Sequence, residues 1–338
     1  MAKRKFKNLF DTCFTFENLL KAYESARKGK KNKGKVLQFS KDLYANINQL
    51  LTELNTNTYK PRPYTKFWVY EPKPREIKAP HFRDVVVQHC IYNIIYPIFD
   101  KSFIFHSYGC RKEKGNHRAV DMLQKYMRSE NNKYFLQLDI RRYYYTINRD
   151  KLKQFLGKKI KDQRFLDVIM LFADDGESEK GVPIGNLLSQ LLALIYLNEL
   201  DHYIKRELKL KYYVRYVDDF VIGLPSKEAC IFYKQQIENF INNKLDLTFS
   251  KWKITPTRKG LNFVGFRTWK EIRFVRKRSL YNFSKALKAE KLDSLNAIIG
   301  NTIRSATYKH FALRVYNKKP HLIKNIKAVR NYFQNLKP

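Results

Sequence analysis

The sequence has few cysteines, no long apolar run and a shortage of acidic residues, and each shortage excludes a class of protein. Its four cysteines, Cys13, Cys90, Cys110 and Cys230, form no CxxC pair and have no partner histidines at zinc-site intervals. We interpret them as reduced thiols of a cytosolic protein. No apolar stretch approaches the ~18 residues of a membrane span, and the N-terminus is too polar for a signal peptide. These absences predict a cytoplasmic protein with no membrane partner.

Positive charge is in large excess. Lysine and arginine number 67 against 31 acidic residues, which gives a formal charge of +36. Because the basic residues occur along the whole length, the pattern predicts an extended surface that binds a polyanion. Aromatic residues make up 15% of the chain, which is enough for both a core and base-stacking surfaces. The composition excludes a disordered basic chain.

The order of predicted elements is mixed. At 338 residues, the chain is long enough for one large or two medium domains. Phe67–Tyr70 and Arg75–Ile77 predict a hairpin, and Ser189–Leu208 predicts one long helix with an apolar face. A strand pair is expected across Leu261–Phe274, followed by a helical basic tail after Ser279. This order predicts an α+β fold with helices packed on one side of a sheet.

Two adjacent carboxylates follow a strand-like stretch. The segment Tyr216-Val217-Asp218-Asp219 lies between Tyr212–Val214 and Phe220–Ile222, whose aromatic and β-branched residues predict a hairpin. Burying neighbouring anions costs several kcal/mol unless a cation is present, and Mg²⁺ prefers carboxylate oxygen. The alternative is a solvated Asp-Asp turn that joins two ordinary strands.

A third carboxylate, Asp139, ends the apolar stretch Phe135–Leu138. Taken alone, it is typical of a helix N-cap. Together with Asp218 and Asp219 it predicts three strand-borne carboxylates at one edge of a sheet. Two-metal phosphoryl transfer requires such a set: one ion activates a 3′-hydroxyl, the other neutralises the leaving pyrophosphate, and ~3.5–4 Å separates them.

With Asp139, the Tyr216–Asp219 box and Gly260–Phe266 in this order, the chain resembles a reverse transcriptase over most of its length. The resemblance implies a right-hand polymerase fold with an antiparallel palm sheet. The implied parts are an N-terminal helical extension at 1–60, fingers at 61–89 and 150–182, a palm at 90–149 and 183–274, and a thumb at 275–338. The implied reaction is RNA-templated addition of dNTPs to a primer 3′-end. It uses two Mg²⁺ ions, with Mn²⁺ as the alternative, bound by Asp139, Ile140, Asp218 and Asp219.

The resemblance assigns further roles. Tyr144 takes the position of the steric gate that excludes a ribose 2′-hydroxyl, although the same ring also suits a core. The backbone N–H groups of Arg142 and Tyr143 would hold the triphosphate, and Arg75 would clamp it unless it is only a surface charge. Lys251, with Lys253 close by, matches the lysine that protonates the departing pyrophosphate. The expected nucleic-acid contacts are Gly185, Gln190, Tyr216, Val217, Arg276, Lys277 and Arg278.

The segment Val182–Gln190 departs from the pattern of most bacterial reverse transcriptases. Ile184 stands where they carry glutamine, and Gln190 stands where they carry proline. This form resembles diversity-generating retroelement reverse transcriptases, and it implies error-prone cDNA synthesis concentrated opposite template adenines. Losing one or two hydrogen bonds near the nascent pair, at about 0.5–1.5 kcal/mol each, would raise misincorporation roughly tenfold. The alternative is that Ile184 is compensated elsewhere and fidelity is ordinary.

The same resemblance implies the partners. They are a structured non-coding template-repeat RNA, a cDNA or DNA primer and a small accessory variability protein, in a bacterial or phage-encoded system. Too few residues follow Phe266 for a thumb and a further nuclease domain of ordinary size, so no such domain is expected. Two rivals remain: another stand-alone bacterial enzyme of the retron-like or phage-defence kind, and a catalytically idle RNA-binding protein on the same fold.

Overall fold

The computed structural model describes residues 5–70 and 74–335. The chain forms two compact units, each assembled from separate stretches. The first contains the residues up to Phe105 together with Ile140–Lys209 and Gln236–Ser250. The second contains His106–Asp139, Leu210–Gln235 and the residues from Lys251 onward. Each unit therefore forms only when stretches that are distant in the sequence pack together.

The first unit is mainly helical. Its helices are α1 (Leu9–Cys13), α2 (Phe16–Arg27), α3 (Gly34–Lys41), α4 (Leu43–Asn55), α5 (Phe82–Asp100), α7 (Tyr143–Thr146), α8 (Arg149–Gly157), α9 (Gln163–Leu171) and α10 (Leu187–His202). Side-chain caps define several starts: Thr15, Asn148 and Asp162 each accept a hydrogen bond from the backbone N–H three residues ahead. Such caps satisfy donors that the first helical turn leaves without partners.

The core of the first unit forms around α5, which packs against both α2 and α10. Helix α10 is apolar on nearly all sides, as expected for a helix surrounded by protein. Leu192, Leu197 and Leu200 have no exposed surface, and neither do Val86 and Ile91 of α5. Burial of each of these side chains stabilises the fold by about 1.5–3 kcal/mol. Helices α5 and α10 therefore form the centre of this core.

The predicted first hairpin is present. Strands β1 (Thr65–Val69) and β2 (Arg75–Ala79) pair antiparallel, with Val69 opposite Arg75. Residues 71–73 of its turn lie outside the described residues. All five residues of β1 are exposed, so its aromatic side chains lie on a surface.

The second unit contains the main sheet. Its strands are β3 (Tyr134–Ile140), β4 (Tyr213–Tyr216), β5 (Asp219–Leu224) and β6 (Phe249–Pro256), in the order β4-β5-β3-β6. Strand β5 pairs antiparallel with both β4 and β3. Helix α6 (Asn116–Met127) packs on β4 and β5. The arrangement agrees with the predicted α+β class.

A second sheet and the C-terminal helices share one core with the main sheet. The elements are β7 (Leu261–Phe263), β8 (Phe266–Thr268), β9 (Arg273–Val275), α12 (Lys277–Lys288), α13 (Leu292–Thr302), α14 (Thr307–Lys318) and α15 (Lys327–Gln334). Phe283 and Phe311 stack with ring centroids 3.8 Å apart and join α12 to α14. Helix α11 (Lys227–Leu245) contributes residues to both units.

Three sequence predictions need correction. The helix expected over Ser189–Leu208 is α-helical only to His202 and continues as a π-helical turn, Tyr203–Glu207, where Tyr203 stacks on Phe240 at 4.1 Å. The strand pair expected across Leu261–Phe274 is three strands, because β9 adds to β8. The basic tail becomes helical at Lys277, whereas the sequence predicted a helix only after Ser279.

Within residues 5–70 and 74–335, no helix is both long enough and apolar enough to cross a membrane. All four cysteines are free thiols. Cys13 and Cys90 lie with their Sγ atoms 3.7 Å apart, and burial, the largest cause, raises the pKa of the Cys13 thiol.

Candidate active site

Strands β3 and β5 bring two of the predicted carboxylates together. Their antiparallel register places Asp139 directly opposite Asp219, and Asp218 lies in the turn that joins β4 to β5. Directly opposite residues of antiparallel strands have Cβ atoms about 4.5–5.5 Å apart, and like charges at such positions destabilise a sheet. Asp139 is inside a strand, so it is not the helix N-cap that its sequence position alone would suggest.

The electrostatics of Asp219 reflect this arrangement. Burial, and then the neighbouring carboxylates of Asp139 and Asp218, raise the pKa of Asp219 to about 7, and the charge of Arg276 acts in the opposite direction. The shift means that the surrounding protein supplies too little positive charge to stabilise the ionised form of Asp219. This site therefore favours the binding of a cation.

The donor atoms are of the kind that a divalent metal ion prefers, although the three carboxylates are not grouped closely around one point. Carboxylate oxygens are the ligands that Mg²⁺ prefers, and the carboxylate group of Asp219 is destabilised until positive charge arrives. In the part of the chain that the structure describes, no three His, Cys, Asp or Glu side chains are grouped closely enough to hold one ion. The sharing of ions among the three aspartates, and the added ligand role of Ile140 at the end of β3, stay predictions.

The turn between the paired strands has an unusual backbone. Val217 has φ +57°, in the left-handed region, which is a true outlier for a β-branched residue. Tyr216 is the last residue of β4, and its side chain is half-buried. The turn thus holds Tyr216 and Val217, two of the predicted nucleic-acid contacts, directly beside Asp218.

The basic residues predicted for the second unit are exposed. Lys251 lies in β6, and Lys277 and Arg278 open α12. Arg276 precedes that helix, donates its backbone N–H to the carbonyl of Gly265 at 3.1 Å, and lies close enough to Asp219 to affect its pKa. The structure therefore gives Arg276 an electrostatic link to the carboxylates that the sequence reasoning did not include.

In the first unit, the β1–β2 hairpin holds the segment that contains Ile184 and Gly185. The backbone N–H of Lys78 donates to the carbonyl of Ile184 at 2.7 Å. Gly185 has φ +119°, and a Cβ at this position would lie 2.8 Å from the Lys78 carbonyl oxygen. Arg75 is exposed on β2, Ile184 is partly exposed, and Gln190 is exposed on α10.

The tyrosine triplet contains one core residue and two more accessible ones. Tyr143 is buried and donates its hydroxyl to the carbonyl of Ala193 at 2.5 Å, whereas Tyr144 is half-buried. Arg142 precedes α7 with φ +45°. Tyr143 is therefore a core residue, whereas Tyr144 is partly accessible, and its role as a steric gate stays a prediction.

Sequence reasoning missed two polar clusters. Lys78 is buried and pairs with Asp175 at 2.6 Å and with Glu177 at 2.8 Å. Arg215 is fully buried in β4 and donates to the carbonyl of Val217 at 2.8 Å. For Arg215 a signal was present, because an arginine that directly follows the aromatic and β-branched stretch Tyr212–Val214 within a predicted strand must find internal partners.

Comparison with known proteins identifies the family. Residues 70–268, more than half of the chain, match the family described as "Reverse transcriptase (RNA-dependent DNA polymerase)". The chain belongs to the reverse transcriptase family. This match confirms the predicted RNA-directed DNA polymerase domain and its fold class. It covers Asp139, Asp218 and Asp219, and it ends at Thr268, the last residue of β8.

Curated relatives of the reverse transcriptase include intron-encoded proteins. The group II intron-encoded protein LtrA of Lactococcus lactis subsp. cremoris is 26% identical over 72% of this chain and 54% of its own. Protein YkfC of Escherichia coli K12 is 26% identical over 71% of this chain and 74% of its own. The chain thus spans about half the length of LtrA.

Among solved structures, a telomerase from Candida albicans, in complex with a fragment of telomeric RNA, aligns at a TM-score of 0.48. It has 13% identity and covers 81% of this chain and 58% of its own.

Proposed function

We propose that this reverse transcriptase extends a primer 3′-end with dNTPs on an RNA template. The supporting observation is the register of β3 and β5, which sets Asp139 opposite Asp219 beside Asp218, within the segment that matches the family. Asp139, Asp218 and Asp219 would hold two Mg²⁺ ions, or Mn²⁺ in their place. When bound, the ions supply activation of the 3′-hydroxyl and charge neutralisation at the leaving pyrophosphate.

Other side chains bind and orient the substrates in this proposal. Arg75 contacts the triphosphate through its planar guanidinium, and the backbone N–H groups of Arg142 and Tyr143 hold phosphate oxygens. The ring of Tyr144 excludes a ribose 2′-hydroxyl. Lys251 holds the proton that the departing pyrophosphate takes up, with Lys253 two residues further along the same strand.

Replacement of Asp218 tests the polymerase proposal. Asp218→Asn keeps the shape of the side chain and removes its charge, so cDNA synthesis should be abolished while binding of the RNA–primer duplex stays nearly intact. Extension of a labelled primer and a binding titration measure the two effects. Lys309→Asn, an exposed change on α14, is the control. Synthesis by Asp218→Asn at the wild-type rate would contradict the carboxylate assignment.

We further propose that the enzyme is a diversity-generating retroelement reverse transcriptase that makes error-prone cDNA from a template-repeat RNA, with misincorporation at template adenines. Ile184 and Gln190 carry this proposal. Ile184 is attached to β2 through its backbone carbonyl and is partly exposed, so its aliphatic side chain can pack against a base pair but cannot donate or accept a hydrogen bond. The proposed partners are that RNA, the primer and an accessory variability protein, in the cytoplasm of a bacterial or phage-encoded system.

A second candidate is an intron-type reverse transcriptase of ordinary fidelity, which the similarity to LtrA favours. Sequencing the cDNA made by wild type and by Ile184→Gln distinguishes the two. The retroelement proposal expects wild-type errors concentrated at template adenines and a roughly tenfold decrease in the variant, from one or two added hydrogen bonds. Ile184→Leu, which adds no hydrogen-bonding group, is the control. Equal error rates in all three proteins would show that Ile184 does not determine the fidelity of cDNA synthesis.

A further inference from the structure

The turn that holds Asp218 is strained. Val217 combines a β-branched side chain with φ +57°, and residues in such sparsely populated conformations persist only when their surroundings determine the conformation. The paired strands on either side fix Tyr216 and Asp219 through their register. Val217 itself lies between them, so further contacts must hold it.

The buried side chain of Arg215 provides the first of these contacts. Its guanidinium donates to the carbonyl of Val217 at 2.8 Å, and no part of the residue is exposed. Burying a guanidinium is costly unless protein groups accept its hydrogen bonds. The sheet therefore holds a residue that is expensive to bury, and one of its hydrogen bonds goes to the strained position of the turn.

A second contact comes from the segment His106–Cys110, which we call the buttress. Its backbone pairs with β4 at the same residue: Arg215 donates its N–H to the carbonyl of His106 at 3.0 Å and accepts from the N–H of Tyr108 at 2.9 Å. Tyr108 is almost fully buried. The buttress is thus attached to β4 at the residue that contacts Val217.

Gly109 of the buttress lies directly against the turn. A Cβ at Gly109 would lie 2.5 Å from Cγ2 of Val217 and 2.7 Å from the Val217 backbone nitrogen. The second distance involves backbone, which cannot move aside without moving the turn. Only glycine lets the buttress approach this closely.

We propose that Arg215 and Gly109 are positioning residues that hold Val217, and through it Asp218 and Asp219, in the geometry that catalysis requires. Arg215 holds the Val217 carbonyl from inside the sheet, while Gly109 allows the buttress to close against the Val217 side chain and nitrogen. Neither residue contacts substrate in this account. The inference rests on the proposed polymerase function of the three carboxylates.

Three full-length variants test it: Arg215→Met, Arg215→Lys and Gly109→Ala, with Gly300→Ala as the matched control. Gly300 lies in α13 with no atom within 4 Å of an added Cβ, so its replacement should leave activity unchanged. Each variant is assayed well below its melting temperature for kcat, KM for dNTP, Mg²⁺ half-saturation and affinity for the primer–template duplex. A displacement of about 1 Å in a reacting group costs roughly 100-fold in rate, which is the loss of kcat expected for Arg215→Met and Gly109→Ala.

The positioning role has a signature that lowered stability does not produce. Displaced carboxylates bind Mg²⁺ less well, so the half-saturating Mg²⁺ concentration should rise and higher Mg²⁺ should restore part of kcat, with duplex affinity unchanged. Arg215→Lys keeps the charge but loses the planar donor geometry, and it should lie between wild type and Arg215→Met. Adding Val217→Gly to Gly109→Ala removes the Cγ2 contact and suits the left-handed backbone, so it should recover part of the lost kcat.

The outcomes separate this inference from the polymerase proposal. Wild-type kcat and Mg²⁺ dependence in folded Arg215→Met, or in Gly109→Ala, would overturn the positioning role. If Arg215→Met does not fold, the test rests on Gly109→Ala and on its rescue by Val217→Gly. A loss of kcat in Gly109→Ala that Val217→Gly does not restore, with a normal half-saturating Mg²⁺ concentration, would count against the inference. Synthesis that survives Asp218→Asn would instead refute the polymerase proposal on which the inference rests.

Discussion

Removal of the buried Lys78 charge should destabilise the first unit and disturb the Ile184 segment. The Lys78 side chain is 10% exposed and contacts Asp175, whose side chain is 8% exposed. Removing one partner from a buried ion pair costs about 3–5 kcal/mol. Asp175 keeps the backbone N–H of Glu177 at 3.0 Å and a weaker approach of Arg149 at 3.7 Å. We therefore expect about 2–3 kcal/mol for Lys78→Met, which is below that range because these partners remain.

Thermal unfolding with a matched control measures this cost. At about 2–4 °C per kcal/mol for a unit of this size, Lys78→Met should lower Tm by roughly 5–10 °C. Lys66→Met is the control, because Lys66 pairs with the same Glu177 but both side chains are nearly half exposed. Exposed ion pairs contribute little, so the control should melt with the wild type. Equal decreases in Tm for the two variants would show that the burial of Lys78 does not increase the stabilisation from its ion pairs.

The pH dependence of this stabilisation has a definite sign. Burial, the largest single cause, acts to raise the pKa of Asp175. The hydrogen bonds from Lys78 and from the backbone of Glu177, together with the charges of Lys78 and Arg149, outweigh burial, and the net pKa is lowered. The stabilisation is therefore complete above the unfolded pKa of about 3.9 and is lost as pH falls through the lower folded value. The Tm difference between wild type and Lys78→Met should shrink in that acidic window. A difference that stays constant down to pH 2 would contradict the assignment to Asp175.

Two further variants examine other parts of the first unit. Tyr144→Ala opens the space that the half-buried ring occupies, so ribonucleotide incorporation should rise relative to deoxynucleotide incorporation in a primer-extension competition; unchanged selectivity would exclude the steric-gate role. Tyr59→Phe removes a 2.6 Å hydrogen bond to the buried carboxylate of Asp84, which should cost about 1–3 kcal/mol in a denaturant titration. A wild-type midpoint would mean that the remaining bond from the backbone N–H of Arg62 satisfies Asp84 alone.

Local sequence signals predicted the parts of the fold that depend on near neighbours. The hairpin of β1 and β2, and the turn of Tyr216–Asp219 between two apolar strands, follow from β-propensity and turn position. The contacts of Lys78 were not predictable in this way, because its partners lie 97 and 99 residues further along the chain. Where α10 becomes π-helical, Tyr203 likewise stacks on Phe240, which lies 37 residues further along the chain. Such pairings leave no periodic pattern in one sequence.

The candidate site was predictable in composition but not in arrangement. Asp139 and Asp219 stood out because each carboxylate adjoins an apolar strand. Their direct opposition depends on the register of β3 and β5, which a shift of one residue would abolish. Arg276 entered the prediction as a nucleic-acid contact, and its influence on Asp219 arises from the way the chain returns from Gly265 to α12.

Several residues that violate ordinary folding preferences lie close together around one turn of the second unit. Arg215 is a buried cation, Val217 is a β-branched residue in the left-handed region, and Asp139 faces Asp219 across a sheet. Each feature alone destabilises the fold. Natural sequences agree with their fold at most positions, and the positions that break local rules are found mainly at functional sites. Because the Val217 carbonyl accepts from Arg215 and the next two residues are the carboxylates, the strain, the buried charge and the opposed anions form one connected arrangement. That connection makes the turn itself, and not only its aspartates, part of the candidate active site.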